Sequence, residues 1–307
     1  MAYKKHLLKK MKARWQIYLL LLLPVLYLVI FCYVPMFGQI IAFNDYNISD
    51  GIWGSKWVGL ANFRTFFESY QFEQVLRNTL VLSIYGFLAG FPIPIALALI
   101  LNALPGRRFK KLVQGTAFIP YFISTVVMVG LVLKILNNRS GLYGAVLMAL
   151  TGRTPMDLFS KGSLFKHIYV WSGVWQSMGY NTVVYTAALA GVDESLHDAA
   201  RIDRANRFQR LLHVDWPAIK PTVVIMMILS LGHIMSVGLD KALLMQNNIN
   251  LAHSEIISTY VYKIGLASGL GNFSLSTAIS IFNAVINLIM LFLANTISKK
   301  VTENSIF

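Results

Sequence analysis

Charged residues are scarce in this chain of 307 residues and make up only 13% of it. Soluble domains carry about 25% charged residues. The apolar residues make up 56% of the chain. They fall in blocks of roughly 20 or more residues, which is long enough to cross a hydrocarbon core about 30 Å thick. The composition therefore excludes an ordinary soluble domain and predicts an integral membrane protein.

Acidic residues are the scarcer of the charged types, with 13 Asp and Glu against 27 Lys and Arg. In a soluble protein, a net charge of +14 would suggest binding to nucleic acid. Here the basic residues lie mainly beside apolar blocks, where they set the orientation of membrane spans. We therefore expect contact with membrane lipid and no nucleic-acid partner.

Cysteine and the common catalytic motifs are nearly absent. The one cysteine, Cys32, lies in an apolar run and cannot form an internal disulfide. We expect it to be a small buried apolar residue. The sequence contains no His-Glu-x-x-His, no nucleophile elbow and no glycine-rich phosphate loop with its lysine. It therefore predicts neither enzymatic activity nor a metal or cofactor bound by this chain.

The apolar blocks predict an all-α protein with six membrane-spanning helices. The N-terminal run is too long for a signal peptide and lacks a small-x-small cleavage site, so we expect it to be retained as the first span. The second helix contains "GFPIP", whose two prolines predict a kink. The predicted helices cover residues 15–35, 74–104, 112–136, 167–190, 218–245 and 273–297.

The distribution of lysine and arginine predicts the orientation in a bacterial cytoplasmic membrane. One side of the six spans carries 17 of these residues and the other side carries 7. The richer side should be cytoplasmic. It would contain a basic N-terminus (1–14), a polar loop (about 191–217) and a tail (298–307), all flanking the membrane domain (15–297). On the other side, "SGLYGAVLMALTG" is too short to span and predicts an interfacial or re-entrant helix.

The polar loop "HDAARIDRANRFQRLLHVDWPAIKP" is the most charged internal stretch. Its arginines recur every three residues, and its apolar and small residues form one helical stripe. Ala199, Ala200 and Ala205 would let another protein approach the backbone closely. This pattern predicts an amphipathic helical hairpin that docks a partner. The alternative is an ordinary loop whose arginines only set topology and whose stripe lies on lipid headgroups.

This loop resembles a motif shared by permease subunits of binding-protein-dependent ABC importers. The motif is Glu-Ala-Ala, a following Asp-Gly-Ala, a phenylalanine, and then a proline about a dozen residues on. The chain departs from it twice, with aspartate for the glutamate and arginine for the glycine. The matching positions in this sequence are Asp198, Ala199, Ala200, Asp203, Arg204, Ala205, Phe208 and Pro217.

The resemblance continues over most of the chain. "YVPMFGQIIAFNDYN", "WVGLANFRTFF", "NTLVLSIYG", "SVGLDKALLMQN" and "FNAVINLIMLFLANTISKK" are similar to sugar permeases that handle oligosaccharides and polysaccharide fragments. The resemblance implies a type I importer permease fold, related to that of maltose permeases. It also implies that the polar loop is a coupling helix, which passes ATP-driven motion to the spans.

The same resemblance implies the partners. They are a second related permease subunit, two ATPase subunits that bind ATP and Mg²⁺, and an extracellular solute-binding protein that delivers a carbohydrate. This chain would hydrolyse no ATP itself.

Polar side chains inside the predicted spans are candidates for the substrate pathway, because such residues are costly in a membrane. On the fourth, fifth and sixth spans they recur at helical spacing, and Trp175, Tyr180 and Tyr185 add flat surfaces on which sugars stack. The other interpretation is hydrogen bonding between packed helices. The candidates are Gln176, Tyr180, Asn181, His233, Ser236, Asp240, Ser276, Ser280, Asn283 and Asn287.

A secondary transporter driven by an ion gradient is the main alternative to an ABC permease. Such a protein would have buried ionisable residues or unwound helices at the midplane, and inverted repeats. Only His233 and Asp240 meet the first condition, and the sequence has no convincing repeat. A membrane-embedded enzyme is disfavoured by the missing motifs.

Overall fold

The computed structural model describes residues 13–267, 269 and 271–302. The predicted N-terminal segment therefore lies outside the described residues except at its last two positions, and the tail is described only to Thr302. The described chain is mostly helical, and it divides into two compact units. The first unit contains residues up to Glu68 together with Ile264–Ile281, and the second contains Ser69–Lys263 and the chain from Phe282 onwards.

The first unit begins with a long apolar helix. Helix α1 (Trp15–Phe43) is continuous, although it passes through a π-helical turn at Leu28–Tyr33 and a 3₁₀ stretch at Phe37–Phe43. None of the side chains in its most apolar stretch is buried. Cys32 is likewise exposed, so the prediction that it is buried was wrong. An apolar helix with no protein cover has the surface that lipid or another subunit requires.

A small folded element follows α1 in the first unit. Strands β1 (Asn44–Asp45) and β2 (Lys56–Trp57) pair antiparallel around the short helix α2 (Gly51–Gly54), and α3 (Ala61–Phe67) follows. The Phe43 and Trp57 rings stack 5.6 Å apart. The aromatic, glycine-rich segment between α1 and α3 is thus a folded element.

Most of the helices belong to the second unit. Its core is built where α9 (Gly162–Ala190) packs against α4 (Tyr70–Gly90) and α5 (Pro92–Ala103). A close crossing of α9 with α6 (Arg107–Phe118) depends on Gly179, because a side chain there would collide with the backbone of Ala117. The helices of this unit are α4 (Tyr70–Gly90), α5 (Pro92–Ala103), α6 (Arg107–Phe118), α7 (Thr125–Ile135), α8 (Leu142–Thr151), α9 (Gly162–Ala190), α10 (Glu194–Ile202), α11 (Arg207–Arg210), α12 (Trp216–Gly232), α13 (Leu239–Met245), α14 (Leu251–Ser254) and α15 (Ile257–Tyr262). The last helix, α16 (Phe273–Thr302), begins in the first unit and ends in the second.

Four helices in the described part of the chain are long and apolar enough to cross a membrane, or five if one bent pair counts as a span. These are α1, the α4–α5 run, α11–α12 and α16, with α6 and α7 as the bent pair. Helix α9 has 29 residues but is more polar. Length and composition therefore support a multi-pass protein and leave the six-span count as a prediction.

Two predicted spans differ from the helices observed. The continuous third helix is interrupted, because Pro120 lies in a 3₁₀ turn and Ser124 starts α7 anew, so that the two parts meet at 101°. The fifth helix ends at Gly232 and not at residue 245, and α13 forms separately after an irregular stretch. At "GFPIP", where the sequence predicts a kink, α4 ends at Gly90 and α5 begins at Pro92.

Candidate functional site

A cavity of about 320 Å³ lies inside the second unit, where α4 and α5 meet α9 and α12. It adjoins the interruption at "GFPIP". Because Pro92 and Pro94 lack an N–H, the carbonyls of Leu88 and Gly90 lose their usual helical donors. Its polar lining comprises Ser83, Ser177, Asn181, Tyr185, Ser230 and His233.

The walls of this cavity combine a flat apolar surface with free polar groups. The rings of Phe87 and Phe91 stack 5.1 Å apart at an angle of 22°. The Ser83 hydroxyl is buried and has no hydrogen-bond partner among the described residues. A buried unsatisfied hydroxyl costs about 1–3 kcal/mol, so it favours a ligand that can bond to it. Such walls suit a molecule with both hydroxyl groups and apolar ring faces.

Of the polar candidates for the pathway, only Asn181 and His233 line this cavity, and they are joined by Tyr185, which was predicted to offer a stacking surface. Two others on α9 hold the bent helix pair in place. Gln176 donates to the Ile123 carbonyl at 2.8 Å, and the Tyr180 ring stacks on Tyr121 at 3.9 Å. These two contacts are those of helix packing, which was the second interpretation of the polar residues.

Asn287 on α16 stabilises the irregular stretch that follows α12. Its carbonyl oxygen accepts the Met235 amide at 2.9 Å, and its amide group lies 3.2 Å from the Ser236 hydroxyl. It replaces the helical partners that this stretch lacks. Asp240 lies in the first turn of α13 and is exposed.

The residues of the polar face predicted on α16 therefore do not share one role. The Ser280 hydroxyl donates to the carbonyl of Ser276 in its own helix. The Asn283 side-chain oxygen is buried and has no hydrogen-bond partner among the described residues. On this face, Asn283 remains the candidate with unused hydrogen-bonding capacity.

Sequence reasoning missed Ser83, Ser177 and Ser230, and it also missed a buried lysine, Lys241. The sequence did hold a signal for the three serines, because each has a polar residue at helical spacing: Thr79 for Ser83, Asn181 for Ser177 and His233 for Ser230. Lys241 on α13 donates to the Tyr169 carbonyl at 2.5 Å, and its ammonium lies 4.5 Å from the Tyr169 ring centre. Burial lowers the pKa of Lys241 to about 7.

We expect this buried lysine to make stability depend on pH. Between pH 7 and 10.5 the unfolded chain keeps the Lys241 proton while the folded chain loses it, so stability should rise with pH in that window. Thermal unfolding of the purified chain from pH 7 to 9 tests this. Lys241→Met should unfold at a nearly constant temperature and be more stable than wild type at pH 7. The exposed Lys161→Met is the matched control, and a pH slope surviving in Lys241→Met would contradict the assignment.

The polar loop forms two short helices joined by a tight turn. Asp193 caps α10 by accepting the Ser195 amide at 2.9 Å, which lowers the pKa of its carboxyl. The turn closes with a bond from the Ala205 amide to the Ala200 carbonyl at 2.9 Å. Asn206 then caps α11 in a reciprocal arrangement with Gln209. The predicted helical hairpin is thus present.

Arg204 occupies the turn with φ of 58°, the left-handed conformation that favours glycine. This is the position at which the motif has glycine, so the tight turn survives the substitution. A left-handed residue with a side chain costs about 1–2 kcal/mol.

Arg204→Gly should therefore keep the turn, whereas the β-branched Arg204→Val should open it. Hydrogen exchange of the α10–α11 amides measures the difference. Exchange in Arg204→Gly should be no faster than in the wild type, and in Arg204→Val it should be at least about fivefold faster, as a loss of roughly 1 kcal/mol implies. Equal exchange in both variants would show that the turn does not depend on this residue.

The outer surface of the hairpin is exposed, and its base is held by hydrogen bonds to neighbouring helices. Ala199 and Phe208 are exposed, while Ala200 and Ala205 are partly covered. Asp198 forms an exposed ion pair with Arg201 at 2.8 Å. Asp203 and Arg204 lie at the tip, and Pro217 lies in the first turn of α12.

At the base, the buried Asp215 accepts the Asn102 amide at 3.0 Å and lies 3.3 Å from His197. The hairpin is thereby fixed to the ends of α5 and α12. No group of three or more His, Cys, Asp and Glu side chains among the described residues could hold a metal ion.

Comparison with known proteins gives the family. Residues 90–303 match the binding-protein-dependent transport system inner membrane component. The polygalacturonan/rhamnogalacturonan transport system permease protein YteP of Bacillus subtilis (strain 168) is 38% identical over 304 residues, which is 99% of this chain and 94% of that protein. Protein LplB of the same organism is 36% identical over 294 residues, covering 96% of this chain and 91% of LplB.

A solved structure has the same fold. A chain of a bacterial ABC transporter involved in the import of the acidic polysaccharide alginate superimposes with a TM-score of 0.88 at 33% identity, over 97% of this chain and 99% of that one. A chain of a bacterial alginate ABC transporter in complex with an alginate pentasaccharide-bound periplasmic protein also superimposes with a TM-score of 0.88 at 33% identity, over 97% of this chain and 99% of that one. This chain therefore belongs to the inner membrane components of binding-protein-dependent transport systems and is the permease subunit, not the ATPase, of an ABC importer.

Proposed function

We propose that this permease carries an oligosaccharide through the cavity between α4, α5, α9 and α12. The observation that carries the proposal is the pairing of the Phe87–Phe91 surface with the free Ser83 hydroxyl on one wall. Sugars need both kinds of contact, because their ring faces are apolar and their hydroxyls need partners. Asn181, His233, Ser177 and Ser230 supply further polar groups.

The substrate is an acidic oligosaccharide in this proposal. Two similar proteins support it, since one is named for polygalacturonan and rhamnogalacturonan transport and the other takes part in alginate import. An external solute-binding protein delivers the sugar. A second related permease and two ATPase subunits with ATP and Mg²⁺ complete the importer.

Orientation and coupling belong to the same proposal. The 17 to 7 distribution of lysine and arginine supports six spans with both termini in the cytoplasm. The α10–α11 hairpin then faces the ATPase. Its exposed Ala199 leaves room for close contact, and its ties through Asp215 would pass movement to α5 and α12.

Uptake by the reconstituted importer tests the substrate class. With the cognate binding protein present, oligogalacturonides and alginate oligosaccharides should be taken up, and neutral maltooligosaccharides of equal length should not. Methyl-esterified oligogalacturonides separate charge from shape, since they keep the ring and lose the carboxylates. Equal uptake of neutral and acidic sugars would contradict the acidic preference.

A further inference from the structure

A second cavity, of about 340 Å³, lies at the base of the α10–α11 hairpin, away from the first one. The connection between α5 and α6 forms one wall, and the hairpin forms the other. Four cationic side chains line it, from three separate helices. They are Lys110 of α6, Arg201 of α10, and Arg207 and Arg210 of α11.

These cations are only partly neutralised by the described residues around them. Asp215 is the one carboxylate that lines the cavity, and its hydrogen bonds go to Asn102 and His197. Arg201 is paired with Asp198. In the described part of the chain, neither Arg207 nor Arg210 forms an ion pair. The cavity therefore keeps an excess of positive charge.

Arg210 also has an unmet hydrogen bond. Its Nε is buried and has no acceptor among the described residues. A buried charged donor without a partner is costly, and the Arg210 side chain that carries it lines the cavity. The guanidinium fork matches the oxygens of phosphate in geometry and charge. Lys110 supplies an ammonium from the opposite wall, although it also donates to the Asn102 carbonyl at 2.9 Å.

We propose that this cavity binds a phosphate group, held by Arg207 and Arg210 on the hairpin and by Lys110 on the α5–α6 side. The phosphate comes from an anionic phospholipid headgroup or from free phosphate, which share this chemistry. A bound phosphate bridges the hairpin to the foot of α5 and so stiffens the segment that we propose to be the coupling element. The binding itself does not depend on the proposed transport function.

Two binding measurements on the purified full chain in neutral detergent test the site and its source. Inorganic phosphate is titrated calorimetrically, and dioleoyl phosphatidylglycerol is counted by native mass spectrometry against phosphatidylcholine. We expect one saturable site for at least one of these probes. Binding of both identifies the phosphate group itself as the determinant, and binding of the lipid alone identifies the headgroup as the source.

Variants with opposite expected effects on phosphate binding separate a specific site from a folding defect. Arg210→Gln and Arg207→Gln should each weaken binding about tenfold, because each removes a charged hydrogen bond. Asp215→Asn should tighten it about fivefold, because it removes the opposing charge and keeps an oxygen for Asn102 and His197. A folding defect would not tighten binding. The exposed Arg139→Gln is the matched control and should bind as wild type does.

The proposal is overturned if neither probe binds saturably, or if both arginine variants bind as tightly as wild type. Weaker binding in Asp215→Asn would equally contradict the electrostatic argument. Transport assays do not enter these measurements, so a failure here leaves the proposed function untouched, and a failure of sugar uptake leaves the phosphate site untouched.

Discussion

Ala199→Trp should abolish the link between ATP hydrolysis and sugar uptake while the chain still accumulates in the membrane. Ala199 is exposed on α10, so an indole meets no obstacle within the chain. In the docking that we propose between the hairpin and the ATPase subunit, it would overfill a close contact. Overpacking typically costs about 1–3 kcal/mol, and 1.4 kcal/mol is a tenfold loss of affinity. We therefore expect about tenfold less ATPase subunit to co-purify with the variant in pull-downs. Sugar uptake should fall at least as much.

The matched control for that variant is Ala149→Trp, which places the same indole on the exposed side of α8. It should retain ATPase and uptake. Asp198→Lys and Asp203→Lys should resemble Ala199→Trp, because each adds positive charge to a segment with four arginines. Full ATPase retention with full uptake in Ala199→Trp would show that the hairpin is not the coupling element.

The second large effect is expected at the cavity. Asn181→Leu should lower sugar uptake about tenfold and leave assembly and basal ATP hydrolysis nearly unchanged. The substitution removes an amide from the cavity wall, and a sugar hydroxyl left unpaired costs about 1–3 kcal/mol. Steady-state sugar uptake by proteoliposomes, measured together with their ATPase activity, separates a loss of transport from a loss of ATP hydrolysis. Ser83→Val should act in the same direction, because it removes the buried free hydroxyl.

Two other variants tell pathway from packing. Asn248 is exposed, so Asn248→Leu is a control that should transport normally. Asn287→Leu should lower the unfolding temperature, because Asn287 holds the stretch around Met235 and Ser236. If Asn181→Leu transports like wild type, the cavity does not carry the sugar.

The long apolar helices and the hairpin could be predicted from sequence because each leaves a local pattern. Blocks of apolar residues predict helices, and the alanine pair with its downstream proline identified the loop. Hydrogen bonds between distant helices leave no such pattern. Asn287 resembles a pathway residue in sequence, and only its contacts with Met235 and Ser236 reveal a structural role.

The helix ends show the same limit. The apolar character of the fifth block continues past Gly232, but the helix does not. Asn287 accepts the Met235 amide, which would otherwise bond within the helix.

At Arg204 the local preference of the residue is overridden. A residue that disfavours a left-handed turn still adopts one, because the bonds from Ala205 to Ala200 and the Asn206 cap hold both sides of the turn.

The energy source of sugar uptake tests the central claim most directly. Proteoliposomes containing the permease pair and the ATPase subunits are supplied with the loaded binding protein outside and ATP inside. Uptake of labelled acidic oligosaccharide should require both ATP and the binding protein, and proton or sodium gradients alone should drive none. Uptake driven by an ion gradient without ATP would contradict the account and favour a secondary transporter.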